Sequence, residues 1–106
     1  MITWEKIPDS ALIYLDSKLG HKLIKEAIKR SGSKRFVIKY ILLYSGRSPD
    51  VTKLDKMMKG DCGIPKYRFT RLIAYLRIPP EESLRYIQKI CTKTGKVLYH
   101  KNFIHI

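Results

Sequence analysis

Glycine and proline divide the 106-residue chain into short segments, and this limits the possible folds more than any other feature of the sequence. Helices shorter than about 12–15 residues are marginal in water unless they pack against other elements. Most of the segments place apolar residues at the three- and four-residue spacing of one helix face. We therefore predict an all-α fold, a compact five- to six-helix bundle with a short β-rich tail or hairpin at its C-terminal end.

Capping residues and helix breakers set the expected helix boundaries. Asp9 can cap a first, N-terminal helix over residues 9–19, in which Leu12, Leu15 and Leu19 share one face. Further helices are expected over residues 21–30, 34–44, 48–59, 65–76 and 81–90.

After Gly95 the pattern changes, and residues 96–106 predict a β-rich tail with a hairpin turn at His100–Asn102. We take residues 1–106 as a single domain whose core spans 21–91. The apolar stretch Val97–Ile106 is the candidate interface for a homodimer.

The segment from Lys34 to about Tyr44 is apolar on most sides of the expected helix. A helix of this kind is usually buried. We therefore expect it to lie in the core, with mainly Lys34, Arg35 and Lys39 facing solvent.

The charge of the chain favours a polyanionic partner. Lysine and arginine number 22 against nine acidic residues, which gives a formal net charge of +13. Such an excess in a short chain is typical of proteins that bind nucleic acid. A lysine-rich thermophile surface would normally carry more acidic partners. The scarcity of Asn and Gln beside many lysines nevertheless indicates a thermophile.

The segment Ser48–Lys59 has the strongest helix start, with a capping serine followed by Pro49 and Asp50. At 100° per residue, Val51, Leu54 and Met58 mark its buried stripe. The outward side carries Thr52, Lys53, Lys56 and Lys59. A short helix with a basic outer face can lie in a major groove about 12 Å wide. Together with the buried helix and glycine turn before it, this predicts a central helix-turn-helix.

The stretch Lys22–Ile87 resembles the helix-turn-helix DNA-binding domains of the lambda repressor/Cro-like (XRE-type) group. Ser33-Lys34-Arg35-Phe36 matches the capped start of the supporting helix of that group, and Ser48–Gly60 matches its recognition helix. Ile64-Pro65, together with Ile73–Pro79, matches the helix that follows. The turn at Leu42–Arg47 is longer than in the group.

The resemblance implies a role for each candidate residue by its position. Ser33, Lys34 and Arg35 would bind phosphate at the start of the supporting helix. Thr52, Lys53 and Lys56 would reach base edges. The remaining candidates are Arg47 and Ser48 at the rim, and Lys59, Lys66 and Tyr67 as phosphate clamps on the other side.

The sequence gives little support for catalysis, metal binding or membrane insertion. Cys62 and Cys91 lie too far apart for a metal-ligand pattern, and His100 and His105 lack a matching cysteine pair. No cofactor, signal peptide or span of about 18 apolar residues is expected. We predict a cytoplasmic (intracellular) protein that is not an enzyme.

These observations predict sequence-specific binding of double-stranded DNA by a transcriptional regulator. The closest alternative is the DNA-binding domain of a recombinase, transposase or homing endonuclease. An RNA-binding basic protein and a pure interaction module, such as an anti-repressor, also fit the sequence.

Overall fold

The computed structural model describes residues 3–43 and 51–101. Its strands are β1 (Leu12–Leu15), β2 (Ile64–Pro65), β3 (Ile87–Cys91) and β4 (Val97–His100). Its helices are α1 (Gly20–Ser31), α2 (Lys34–Phe36, continued by a π-helix over Val37–Ile41), α3 (Val51–Lys59), α4 (Lys66–Leu76) and α5 (Pro80–Ser83). The strands form one antiparallel sheet of order β2-β1-β3-β4. The fold is therefore mixed α and β, and the prediction of an all-α bundle is wrong.

Strand β1 lies inside the sheet, where the sequence predicts a helix over residues 9–19. Ala11, Ile13 and Leu15 are at most 1% exposed and alternate with partly exposed neighbours. A period of two belongs to a strand with one buried face, so the helical spacing of the leucines is coincidental. Antiparallel pairing with β2 on one edge and β3 on the other supplies the backbone partners of β1.

The expected helix over residues 81–90 is also wrong, because α5 ends at Ser83. A single 3-10 turn follows, and the chain then enters β3. Ile87, Ile90 and Cys91 fit the spacing of a helix face, but β-branched residues suit a strand equally well. The pairing of β3 with β1, which is distant in sequence, decides between the two.

The turn predicted at His100–Asn102 and the strand expected after it extend beyond the described residues, but a different hairpin connects β3 and β4. The turn lies at Thr92–Lys96, where the Thr92 amide donates to the Lys96 carbonyl at 2.7 Å. Gly95 adopts a φ of +99° there, a left-handed conformation that glycine reaches without strain. His100 belongs to β4, opposite Lys89 of β3.

The helices pack through their apolar faces. Helix α1 buries Leu23, Ile24 and Ala27, which share one face at helical spacing. Phe69, Leu72, Ile73 and Leu76 of α4 have the same spacing and are all buried. Gly60 follows α3 with a φ of +81°, and a Cβ placed on it would lie 2.4 Å from the Leu15 carbonyl oxygen. The end of α3 therefore touches the end of β1 at a position where only glycine fits.

Helix α2 and its π-helical continuation are buried on one side only, so the prediction of a helix buried on most sides is wrong. The buried side chains are Val37, Ile38, Ile41 and Leu42. Phe36, Tyr40 and Leu43 are 39%, 54% and 43% exposed. Phe36 and Tyr40 lie on the side of the helix opposite the buried set, and Leu43 follows the helix end with a φ of +58°. Together the three form an apolar stripe without a covering element among the described residues.

Two arginines of α4 hold the end of the π-helix. Arg71 donates from Nε to the Ile41 carbonyl at 3.1 Å and from Nη2 to the Tyr40 carbonyl at 3.3 Å. Arg68 donates from Nη1 to the Leu42 carbonyl. Carbonyls at a helix C-terminus lack intrahelical partners and attract cations. These bonds therefore fix the exposed stripe of α2 beside α4.

Asp16 fixes the turn between β1 and α1. Its Oδ1 accepts from the amides of Lys18 and Leu19 at 2.8 and 2.9 Å, and its Oδ2 accepts from Lys101 Nζ at 2.8 Å. The hydrogen bond from Lys101, followed by that from the Leu19 amide, lowers the pKa of Asp16 from 3.8 to about 2. The residue after β4 is thereby tied to the start of α1.

Candidate nucleic-acid interface

Helix α3 presents a basic face to solvent. Leu54 and Met57 are 1% exposed and anchor the helix to the body of the protein. Thr52, Lys56 and Lys59 are exposed on the opposite side. These three outward positions agree with the helical wheel drawn from the sequence.

The buried stripe of α3 is rotated relative to the predicted one. Leu54 is buried as predicted, but Met57 takes an inward position and Met58 is only partly buried against the core. The rotation leaves Lys53 on the flank, where it is half-buried. The side chain of Val51, the third predicted stripe residue, lies outside the described part.

The start of α2 lies beside α3. Lys34 Nζ is 3.5 Å from Asp55 Oδ1, and both side chains are about half exposed. An exposed ion pair of this kind contributes only about 0–1 kcal/mol to stability. Its larger effect is electrostatic, because it offsets the acidic residue on the flank of the basic face.

Ser33 serves α2 as a helix cap. Its Oγ accepts a hydrogen bond from the Phe36 amide at 3.3 Å. Because this amide already has a partner, a phosphate near the start of α2 would be bound by Lys34 and Arg35, which are both exposed.

Lys66 is not part of this surface. It is 7% exposed, and its Nζ donates to the carbonyls of Trp4 and Ile7 at 2.9 and 2.8 Å. The ammonium group holds the segment that precedes β1 and is turned away from solvent, so it cannot clamp a phosphate. Its neighbour Tyr67 is 46% exposed, with the Arg68 guanidinium 5.1 Å from its ring centroid.

The structure thus brings part of the predicted site together. Described residues that lie on or beside the α3 face are Lys34, Thr52, Lys53, Lys56 and Lys59. Ser33 and Arg35 line a depression with Phe36, Lys39 and Tyr40 instead. Arg47 and Ser48, with residues 44–47 of the predicted turn and the predicted helix start, lie outside the described residues.

The sequence-based selection of site residues missed the pair of α4 arginines and the exposed rings of α2. A signal for the rings was present, because residues 37, 38, 41 and 42 already form one complete apolar face. A second apolar set on the opposite side, at Phe36, Tyr40 and Leu43, exceeds what one buried face requires.

No group of three or more potential metal ligands is found in residues 3–43 and 51–101. Within the same ranges, no helix has the length and hydrophobicity needed to cross a bilayer. Comparisons with protein-family models, curated proteins and solved structures find no significant match. The geometry of the described residues is therefore the basis for any assignment of function.

Proposed function

We propose that the protein binds double-stranded DNA sequence-specifically, as an intracellular transcriptional regulator with α3 as its reading helix. The observation that carries the proposal is the exposed ridge of Thr52, Lys56 and Lys59 on a helix anchored by Leu54 and Met57. A short helix held through one face leaves the opposite face available for a major groove about 12 Å wide.

The chemistry of the ridge suits base edges and phosphates. Lysine donates to the O6 and N7 acceptors of guanine, and threonine offers a hydroxyl and a methyl group that can contact thymine. Lys34, beside the ridge, is placed to pair with backbone phosphates, which set the register of the protein on DNA. The ion pair between Lys34 and Asp55 reduces the repulsion that a bare carboxylate would exert on phosphate.

Salt dependence tests the proposal directly. We expect the affinity for a labelled duplex, measured by fluorescence anisotropy, to fall with salt at a log–log slope near −5 if about six phosphates are contacted. If the affinity for the duplex does not change with salt, the proposal is contradicted and a protein-interaction module is favoured instead. Stronger competition by structured RNA than by duplex DNA would favour the RNA-binding alternative.

Paired substitutions test the placement on α3. The variant Lys56→Ala/Lys59→Ala should reduce the slope by about 2 if each lysine contacts a phosphate. The control Lys93→Ala/Lys96→Ala removes the same charge from the exposed β3–β4 turn and should leave most of the slope intact. Equal losses for both variants would mean that only net charge matters.

A homodimer is a further part of the proposal. Among the strands of the described residues, β4 lies at one edge of the sheet, and its Val97 is 47% exposed. A second copy that added its own β4 there would present two reading helices to two half-sites. Sedimentation equilibrium of the native protein and of Val97→Lys tests this arrangement.

A further inference from the structure

Four of the five large apolar side chains that are most exposed in residues 3–43 and 51–101 belong to α2, its continuation and the start of α4, and these elements pack together. These four are Phe36, Tyr40, Leu43 and Tyr67. With Arg68 and Arg71 between them, they form what we call the aromatic surface. Exposed apolar patches of this kind usually mark an interaction site.

Contacts connect the aromatic surface from one end to the other. The rings of Phe36 and Tyr40 lie 5.1 Å apart between centroids. Arg71 binds the Tyr40 carbonyl at 3.3 Å. Arg68 binds the carbonyl of residue 42, next to Leu43, and stacks near the Tyr67 ring. Because these arginines bond carbonyls at the end of the π-helix, the backbones that carry the exposed rings are held together before any ligand binds.

Cations accompany the rings of the aromatic surface. Lys39 Nζ is 5.4 Å from the Tyr40 ring centroid, and Arg68 Cζ is 5.1 Å from that of Tyr67. A shallow depression beside Tyr40 is lined by Ser31, Ser33, Arg35, Phe36 and Lys39, and none of these described residues is acidic. A partner must therefore offer both flat apolar groups and negative charge.

A second copy of this chain does not fit that requirement. In a two-fold interface each patch faces itself, so the arginines and lysines would meet like charges. A nucleic-acid strand does fit, because each nucleotide carries one flat base and one phosphate. Rings that accept stacked bases, set in a positively charged groove, are the usual means of binding single strands.

We propose that the aromatic surface binds single-stranded nucleic acid, with bases stacked on Tyr40 and Tyr67. Arg35, Lys39 and Arg71 pair with the phosphates that flank those bases. Duplex DNA cannot use these rings in the same way, because its bases are stacked on one another and are presented only by their edges. The inference does not depend on duplex binding by α3.

The test uses two labelled single strands of equal length, one of mixed sequence and one without bases. We expect the native protein to bind the intact strand at least about tenfold more tightly than the abasic strand, given the usual contribution of each stacked base. The variant Tyr40→Ala/Tyr67→Ala should lose that difference while its affinity for the abasic strand stays unchanged. Tyr40→Trp/Tyr67→Trp should restore it.

Two controls separate this proposal from the one for α3. Lys93→Ala/Lys96→Ala changes exposed side chains of the β3–β4 turn, outside the aromatic surface, and should keep the preference for the intact strand. Duplex affinity, measured in parallel, should be unchanged in Tyr40→Ala/Tyr67→Ala, and Lys56→Ala/Lys59→Ala should keep the preference for bases. Circular dichroism of each variant checks that the fold is retained. We expect it to be retained, because both rings are about half exposed and lie outside the buried core.

Three results would overturn the proposal. The first is equal binding of intact and abasic strands by the native protein. The second is an equal loss of affinity for the intact and the abasic strand in Tyr40→Ala/Tyr67→Ala, which would indicate a change in the positions of the charged side chains or in folding. The third is self-association, or capture of an acidic peptide, that requires these rings while single-strand binding does not.

Discussion

The contact between Asp16 and Lys101 gives a quantitative prediction for stability. Replacing Asp16 by Asn keeps an oxygen that can accept from the amides of Lys18 and Leu19, but it removes the negative charge 2.8 Å from Lys101 Nζ. The variant therefore tests the charge of this side chain more than its role as a helix cap.

The magnitude follows from the pKa of Asp16, which is lowered from 3.8 to about 2 in the folded protein. One pKa unit corresponds to about 1.4 kcal/mol, so the carboxylate stabilises the fold by about 2 kcal/mol at neutral pH. Both side chains are less than one third exposed, which limits screening by solvent. We expect Asp16→Asn to lower the free energy of unfolding by about this amount.

The sign of the pH dependence is fixed by the direction of the shift. Because the folded pKa lies below the unfolded one, the stabilisation is complete above about pH 4–5 and disappears as the pH falls through about 2. The difference between the native protein and Asp16→Asn should therefore be constant near neutrality and approach zero at the acidic end.

Urea denaturation followed by circular dichroism at a series of pH values measures this difference. Lys101→Met and the double variant complete a double-mutant cycle. A loss that stays the same at every pH, or single effects that simply add in the cycle, would refute the assignment to the Asp16–Lys101 pair.

Two further predictions concern the body of the fold. Gly60→Ala should lower the free energy of unfolding by about 1–3 kcal/mol more than Gly32→Ala does, as measured by urea denaturation. Both glycines have a positive φ, but only a side chain at Gly60 would meet the Leu15 carbonyl. Equal losses would mean that the structure relaxes around this contact at no cost. Lys66→Met should cost about 1–3 kcal/mol, because it removes the donor of the Ile7 carbonyl and leaves the Trp4 carbonyl with the Ile7 amide as its remaining partner. Trp4 fluorescence should report the change, and a loss no larger than that of the exposed Lys22→Met would contradict this role of Lys66.

The parts of the fold that the sequence predicts correctly are encoded locally. The inner face of α4 and the outward ridge of α3 follow from helical spacing within each segment, and both agree with the observed burial. Residues 12–15 and 87–91 fit helical spacing too, but their conformation is decided by pairing with each other across most of the chain. The pattern of residues within either segment does not show which distant strand it pairs with.

The candidate site divides in the same way. Exposure of Thr52, Lys56 and Lys59 follows from the position of α3 residues around one helix. Burial of Lys66 depends on carbonyls of Trp4 and Ile7, which the chain brings near only through β1 and β2. The sequence around Lys66, which is followed by the exposed Tyr67, does not indicate that the lysine side chain is buried.

The place of β1 inside the sheet has a consequence for how the chain folds. β1 leaves the ribosome before helices α1 to α5, and its partner β3 leaves it only after them. Closing so long a loop carries an entropic cost before the pairing returns any stability, and such non-local pairing slows folding. We therefore expect the helices to form first and the sheet to close last, so the edges of β1 are open to wrong partners during synthesis.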